Sequence, residues 1–213
     1  MERNVAILMA DLSGYTAMTD VHGGASAAQL VDKYMQLVDR SIVGSTKVMQ
    51  RVGDQIVLLA EVPNDIVETA KKLITCIHAE HHFLSIHAGI HYGTVFIEKG
   101  NLFGSTVNIA SRIMNMAEKG QILFSKELLE QLQTDKYSYK LLGDFAFKNV
   151  MNTVTVYQLL ADSLEQRHID PVCKMQIDPT RTKYTYQFNN TEYHFCSVRC
   201  RYIFQGKPET FLK

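Results

Sequence analysis

Two carboxylates, an amide–arginine pair and three closely grouped thiols are the side chains in this sequence whose types and spacing could do chemistry. Asp11 closes the apolar run 5–10 in VAILMADLSGYT. A carboxylate at the end of a buried strand loses hydration unless something positive stands against it. Asp54 follows Gly53 at the tip of a hairpin signal between the runs 47–52 and 55–61. If those two strands flank the first, Asp54 lies beside Asp11, and two neighbouring carboxylates repel unless a divalent cation with oxygen ligands, magnesium or manganese, bridges them. A Gly-Asp tip is also a common turn with no further role. Asn108 and Arg112 stand four apart at the start of a predicted helix and so share a face. An arginine beside a carboxamide stabilises negative charge growing on a phosphate, and Ser105 and Thr106 suit a helix N-terminus that favours anions. Cys173, Cys196 and Cys200 crowd the C-terminal part, the last two as a C-x3-C pair. Three thiolates favour a soft or borderline cation such as zinc or copper, with His194, His168 and Asp170 as candidates for a fourth ligand.

The elements that must position these groups follow from periodicity. The apolar run 5–10 has the length of a strand covered on both faces. Leu30, Val31, Tyr34, Met35, Val38 and Ile42 recur at helical spacing over 25–42. After the hairpin, a second helix starts near Asn64 as N-cap and turns Val67, Ala70, Ile74 and Ile77 inward, before a strand at 84–91. This order, βαββαβ, is that of an α+β, ferredoxin-like unit with helices on one face of an antiparallel sheet. A helix at 106–116, a strand at 121–124, a short helix at 126–133 and strands at 139–142 and 153–160 follow. The polar stretch 161–169 has no core pattern, which divides the chain into a domain over 1–162, a linker over 163–169 and a small module over 170–213.

Composition narrows the field. The 213 residues carry 22 Lys+Arg and 22 Asp+Glu, so no broad basic surface exists to hold nucleic acid or an anionic membrane. The N-terminal apolar run is too short for a signal-peptide core and no later run reaches membrane-spanning length, which points to the cytoplasm. Four cysteines so spaced look less like a disulfide framework than like a core thiol, Cys76, and a metal cluster. His78 and His82 have metal-compatible spacing but are better read as complementing a helix C-terminus, and His87 and His91 share one strand face as packed or pocket-lining groups.

ADLSGYT, VGDQIVLLA, IHAGIHYG and LFGSTVNIASRI, in that order and at those distances, resemble the catalytic domain of class III nucleotidyl cyclases over residues 4–160. The resemblance implies that Asp11 and Asp54 hold two magnesium or manganese ions. It implies too that Leu12, Ser13, Gly14, Tyr15 and Thr16 cradle a triphosphate, with Lys148 as a further phosphate ligand, and that Asn108 and Arg112 orient the ribose and stabilise the transition state. It further implies a nucleoside triphosphate substrate and a homodimer in which each site is shared between two chains. Two positions depart from the pattern. Gln50 stands where adenylyl cyclases carry a lysine and guanylyl cyclases a glutamate, and Asn101 where adenylyl cyclases carry an acid. Two carboxamides can meet either purine edge, so base selection is expected to be weak, with ATP favoured.

The words DPVCKM and YHFCSVRC resemble the YHS domain, a small metal-binding module, over 170–212. A segment of this size buries too little apolar surface to stand alone, so a metal staple is a physical expectation. The staple is either structural or a sensor. The competing reading of the whole chain is a non-catalytic nucleotide-binding or dimerisation module. A diguanylate cyclase is excluded because no GG-[DE]-EF sequence occurs at the hairpin.

Overall fold

A computed structural model describes residues 1–160 and 167–212. Strand β1 (Glu2–Leu12) is an interior strand of an eight-stranded sheet, and every side chain from Val5 to Ala10 is buried. Two helices follow, α1 (Tyr15–His22) and α2 (Gly24–Ser41), broken at Gly23, whose φ of 83° few other residues tolerate. The hairpin is β2 (Lys47–Val52) and β3 (Gln55–Ala60), with α3 (Pro63–Ala79), β4 (Ile86–Glu98), β5 (Asn101–Phe103) and α4 (Ser105–Met116) after it. Then come β6 (Ile122–Ser125), α5 (Lys126–Leu129), β7 (Tyr139–Phe145) and β8 (Val154–Leu159). The sheet runs β2-β3-β1-β4-β6-β8-β7, with β5 folded back on β4. The first four strands have the ferredoxin-like order, antiparallel throughout, and β6 joins parallel to β4.

Several expectations are corrected. The hairpin strands do not flank β1: only β3 pairs with it, β4 takes the other side, and β2 lies at the sheet edge. The two helices of the ferredoxin-like unit, α2 and α3, do share one face as expected, while the later helix α4 covers the other. Ala6, Leu8 and Ala10 pack with Tyr34 and Val38 of α2 and with Ile66 and Leu73 of α3. Val5, Ile7 and Met9 pack on the opposite face with Ala110 and Met114 of α4. Helix α3 is capped at Val62 with Pro63 in its first turn, so Asn64 is inside it rather than its cap. The short helix expected to run to residue 133 ends at Leu129, and β4 extends seven residues past the expected end, from His91 to Glu98. Helix α1 was hidden because its eight residues bury only Met18 and Val21.

Helix α4 can lie close to the sheet because β4 presents glycines, Gly89 and Gly93, where the helix approaches most closely. A Cβ on Gly89 would collide with the backbone N of Met114 and stand 2.6 Å from the carbonyl O of Ala110. One on Gly93 would meet Thr106 Oγ1 at 2.7 Å. The spacing of glycines in IHAGIHYG is thus the footprint of the helix that carries Asn108 and Arg112.

The C-terminal module comprises β9 (His168–Ile169) paired with β10 (Gln176–Ile177), the hairpin β11 (Thr185–Phe188) and β12 (Thr191–His194), and α6 (Val198–Gly206). β9 begins inside the stretch read as linker; the rest of that stretch, up to residue 166, is outside the described residues. Phe204 is the centre of the module, with the rings of Tyr186, Phe188, Tyr193, Phe195 and Phe211 around it. Among the described residues no helix is long and apolar enough to cross a membrane.

Substituting Gly89→Ala should push α4 off the sheet, costing about 1–3 kcal/mol as overpacking does. Thermal unfolding of the variant checks this, and a midpoint equal to wild type would show that α4 yields without cost.

Candidate active site and metal centre

Asp11 inherits its direction from strand alternation. It follows Val5, Ile7 and Met9 in the series facing α4, but sits where β1 ends and the apolar cover runs out. Its register partner on β4 is His87. The tight turn at Gly53, with φ of 63°, brings Asp54 to the same end of the sheet. The two carboxyls hydrogen-bond to one another, and burial together with the charge of Asp11 lifts Asp54 to about 6. A proton shared between two acids marks the place a cation would take, and oxygen-only donors suit magnesium or manganese.

Asp11, Leu12, Ser13, Gly14, Tyr15, Thr16, Asp54 and His87 line one cavity of about 290 Å³. Gly14 is the N-cap of α1 with φ of 94°, a conformation that costs glycine little. The first helical bond runs from Met18 N to Gly14 O, which leaves the N–H groups of Tyr15 and Thr16 without intrahelical partners at the positive end of the helix dipole. Ser13 is held by its N–H to Ser85 O at 2.8 Å and by its hydroxyl against His87 Nδ1 at 3.0 Å. Burial lowers the pKa of His87, and the charge of Asp54 opposes that shift. His87 belongs to this pocket, and its four-residue spacing to His91 gave it no distinction in the sequence. His91 is buried elsewhere, bound through Nδ1 to Ser125 Oγ at 2.7 Å.

Gln50 and Asn101, far apart in sequence, stand together: Gln50 Nε2 donates to Asn101 Oδ1 at 3.4 Å. Asn108 and Arg112 are exposed on one face of α4, and their side chains make no hydrogen bond or ion pair with the other described residues. Asn108 lines a separate groove of about 600 Å³ with Thr106, His91 and residues 149–154. Neither residue joins the aspartate cavity within one chain. Lys148 is exposed at the edge of the loop 149–153 and does not approach that cavity either.

The three C-terminal thiols do converge, and a fourth ligand meets them. Cys196 Sγ lies 3.5 Å from both Cys173 Sγ and Cys200 Sγ. His22 Nε2 lies 3.5 Å from Cys196 Sγ and 3.7 Å from Cys200 Sγ, and all four ligand atoms fall within 4.8 Å of one another. Tetrahedral zinc with its usual bond lengths requires about 3.8 Å between sulfurs and about 3.6 Å between sulfur and nitrogen. The observed separations match that and are far from a disulfide, so the four side chains fit a zinc-like ion. The three candidates for the fourth position are corrected. Asp170, 0 % exposed, accepts the N–H groups of Val172 and Cys173 on Oδ1 and of Cys196 on Oδ2, so it fixes the two ligand-bearing turns. His168 and His194 meet edge to face at 4.5 Å between centroids and are not among the side chains that converge with the thiols. Ser197 caps α6 by accepting the Cys200 N–H at 3.2 Å, which aims the positive end of that helix at the sulfurs. His22 escaped the sequence reading because it precedes Cys173 by 151 positions and ends a helix that periodicity does not reveal.

Among the described residues His78 and His82 join no metal-ligating cluster; His82 stacks on His81 at 3.9 Å. Cys76 is partly buried against the main core, as a core thiol would be.

Comparison with known proteins agrees with this geometry. The family model of the adenylate and guanylate cyclase catalytic domain matches residues 1–161, and that of the YHS domain matches 168–213. A pH-sensitive adenylate cyclase of Mycobacterium tuberculosis is 24% identical over 161 residues, 74% of this chain and 41% of the relative. An adenylate cyclase of Streptomyces griseus is 30% identical over 137 residues, 61% of this chain and 34% of the relative. The chain therefore spans less than half the length of these curated relatives. Among solved structures, the adenylyl cyclase CyaB of Pseudomonas aeruginosa superposes with a TM-score of 0.65 at 19% identity, covering 78% of this chain and 98% of that one. The guanylyl cyclase Cya2 superposes with a TM-score of 0.63 at 17% identity, covering 78% and 95%.

In metal-free protein the shared proton is bound more tightly folded than unfolded, so the stability it supplies is present at low pH and lost as pH rises through about 6. A bound cation would replace the proton. Manganese should therefore raise the unfolding temperature strongly at pH 7.5, weakly at pH 5, and not at all in Asp54→Asn. Equal manganese effects at the two pH values would remove the pair as the cation site.

Proposed function

Because the chain belongs to the adenylate and guanylate cyclase catalytic domain family, followed by a YHS domain, we propose that it converts a purine nucleoside triphosphate, ATP by preference, to the 3′,5′-cyclic nucleotide and pyrophosphate. The observation that carries this reading is the acid pair beside a loop of free N–H groups, in one cavity of triphosphate-binding character. Asp11 and Asp54 would hold two magnesium or manganese ions. When bound, such ions acidify the ribose 3′-hydroxyl and neutralise the triphosphate. Gly14, Tyr15 and Thr16 would offer their N–H groups to the triphosphate, and His87 keeps Ser13 in position beside them. No protein nucleophile is needed.

Asn108 and Arg112 have no substrate within reach in their own chain, which supports a homodimer in which α4 of one protomer faces the aspartates of the other. Arg112 would then stabilise charge at the α-phosphate and Asn108 orient the ribose, while Lys148 would approach the phosphates only across that interface. The adjacency of Gln50 and Asn101 supports their reading the base as a unit. Since either amide can rotate to exchange donor for acceptor, GTP should also be accepted.

Mixing inactive Asp11→Ala with inactive Arg112→Ala should restore activity, because a mixed dimer keeps one intact site; either change alone should cost about 10²- to 10³-fold. No recovery despite demonstrated subunit exchange would refute the shared site. Gln50→Lys combined with Asn101→Asp should raise the ATP-to-GTP ratio of kcat/KM, and an unchanged ratio would show that these side chains do not read the base.

A further inference from the structure

From the position of His22 we infer that the C-terminal metal is a clasp between the two domains, completed by a ligand from the catalytic domain, and that its occupancy sets the conformation of the triphosphate loop. The inference rests on the cyclase reading for its effect on catalysis, but not for its geometry. His22 is the last residue of α1, and the first turn of that same helix is the phosphate cradle. An eight-residue helix is about 12 Å long, so whatever fixes one end orients the other.

The segment 170–174 grips α1 at both ends. Cys173 contributes to the thiol cluster that His22 Nε2 enters. The next residue, Lys174, is bent back by its Nζ–Pro171 O hydrogen bond of 2.7 Å, and its Cβ lies so close to Gly14 that a side chain there would collide with it. Between these points Val21 is buried in the module's own apolar cluster with Cys173, Cys200 and Phe204. Gln176 completes the attachment by donating its N–H to Phe83 O at 2.8 Å, two residues before the Ser85 carbonyl that anchors Ser13. A zinc-like ion held by three thiolates of the module and one imidazole of the catalytic domain joins these contacts into one rigid unit. Removing the ion releases the His22 end of α1, leaving the helix held by Met18 in the main core, Val21 in the module and a few hydrogen bonds, and the cradle N–H groups hold their direction less firmly.

The test uses full-length wild type and His22→Ala, each stripped by chelation and refilled with cobalt(II) alone or zinc alone. Wild type should show the absorption of tetrahedral cobalt with three thiolates and one imidazole. The variant should show a displaced spectrum and about 10²-fold weaker zinc binding. Hydrogen exchange of residues 13–22 should slow on adding zinc to wild type and stay fast in zinc-saturated His22→Ala. Retained manganese stabilisation would establish that the variant is folded; if it is not, His22→Gln takes its place. Identical cobalt spectra and zinc affinities would show that His22 is not a ligand. Zinc-dependent slowing of exchange that survives in the variant would show that the clasp does not hold α1. In wild type, zinc removal should raise KM for the manganese–nucleotide more than it lowers kcat. Absence of any cyclic product from every nucleotide would defeat the proposed reaction, yet leave the spectra and exchange to judge the clasp.

Discussion

Burial of β1 on both faces is the constraint from which the rest of the catalytic domain follows. A strand with no solvent-facing side needs helices above and below, so α2 and α3 take one face and α4 the other. Alternation then decides chemistry: Asp11 is the next member of the series Val5, Ile7, Met9, and it emerges on the α4 side, where the cover stops. The second cover helix must come close, and Gly89 and Gly93 remove the obstacle. Each feature near the aspartates is thus fixed by how a two-faced strand is closed over, and the acid pair sits where that closure ends.

The C-terminal module solves a different problem. Its apolar cluster is small and organised around one ring, Phe204, with few fully buried side chains besides Phe195 and the two cysteines. A core of that size contributes little against the entropy of ordering the chain. Asp170 carries much of the order instead, since one buried carboxylate receives N–H groups from both ligand-bearing turns. Its negative charge is raised in energy by burial and offset by those same bonds, an arrangement that positions sulfur rather than binding metal itself.

What could be read from the sequence was whatever depends on local pattern. The Gly53-Asp54 hairpin, the apolar first strand, the i, i+4 placement of Asn108 and Arg112 and the pairing of Gln50 with Asn101 through family resemblance all have counterparts in the structure. What could not be read depends on packing between distant segments. That α4 takes the opposite face follows from missing side chains on β4, which a hydrophobic pattern does not weigh. Helix α1 is too short, and buries too few residues, for periodicity to separate it from a loop. His22 could not have been selected among eight histidines, because nothing local to TDVHGG refers to a cysteine cluster beyond the end of the domain.

The contact between Lys174 and Gly14 bears on how such a protein can be engineered or inherited. Two domains joined by a tether can be exchanged as cassettes, because neither surface knows the other. Here the module lies against the Gly14 turn, bonds to Phe83 and encloses Val21, so the two parts meet as tenon and mortise. Grafting this module onto another cyclase domain would require a glycine at the cap of the first helix, an apolar residue at the penultimate position and a histidine at the last. Without all three the graft would hang free, and the chimera would be two proteins on one string.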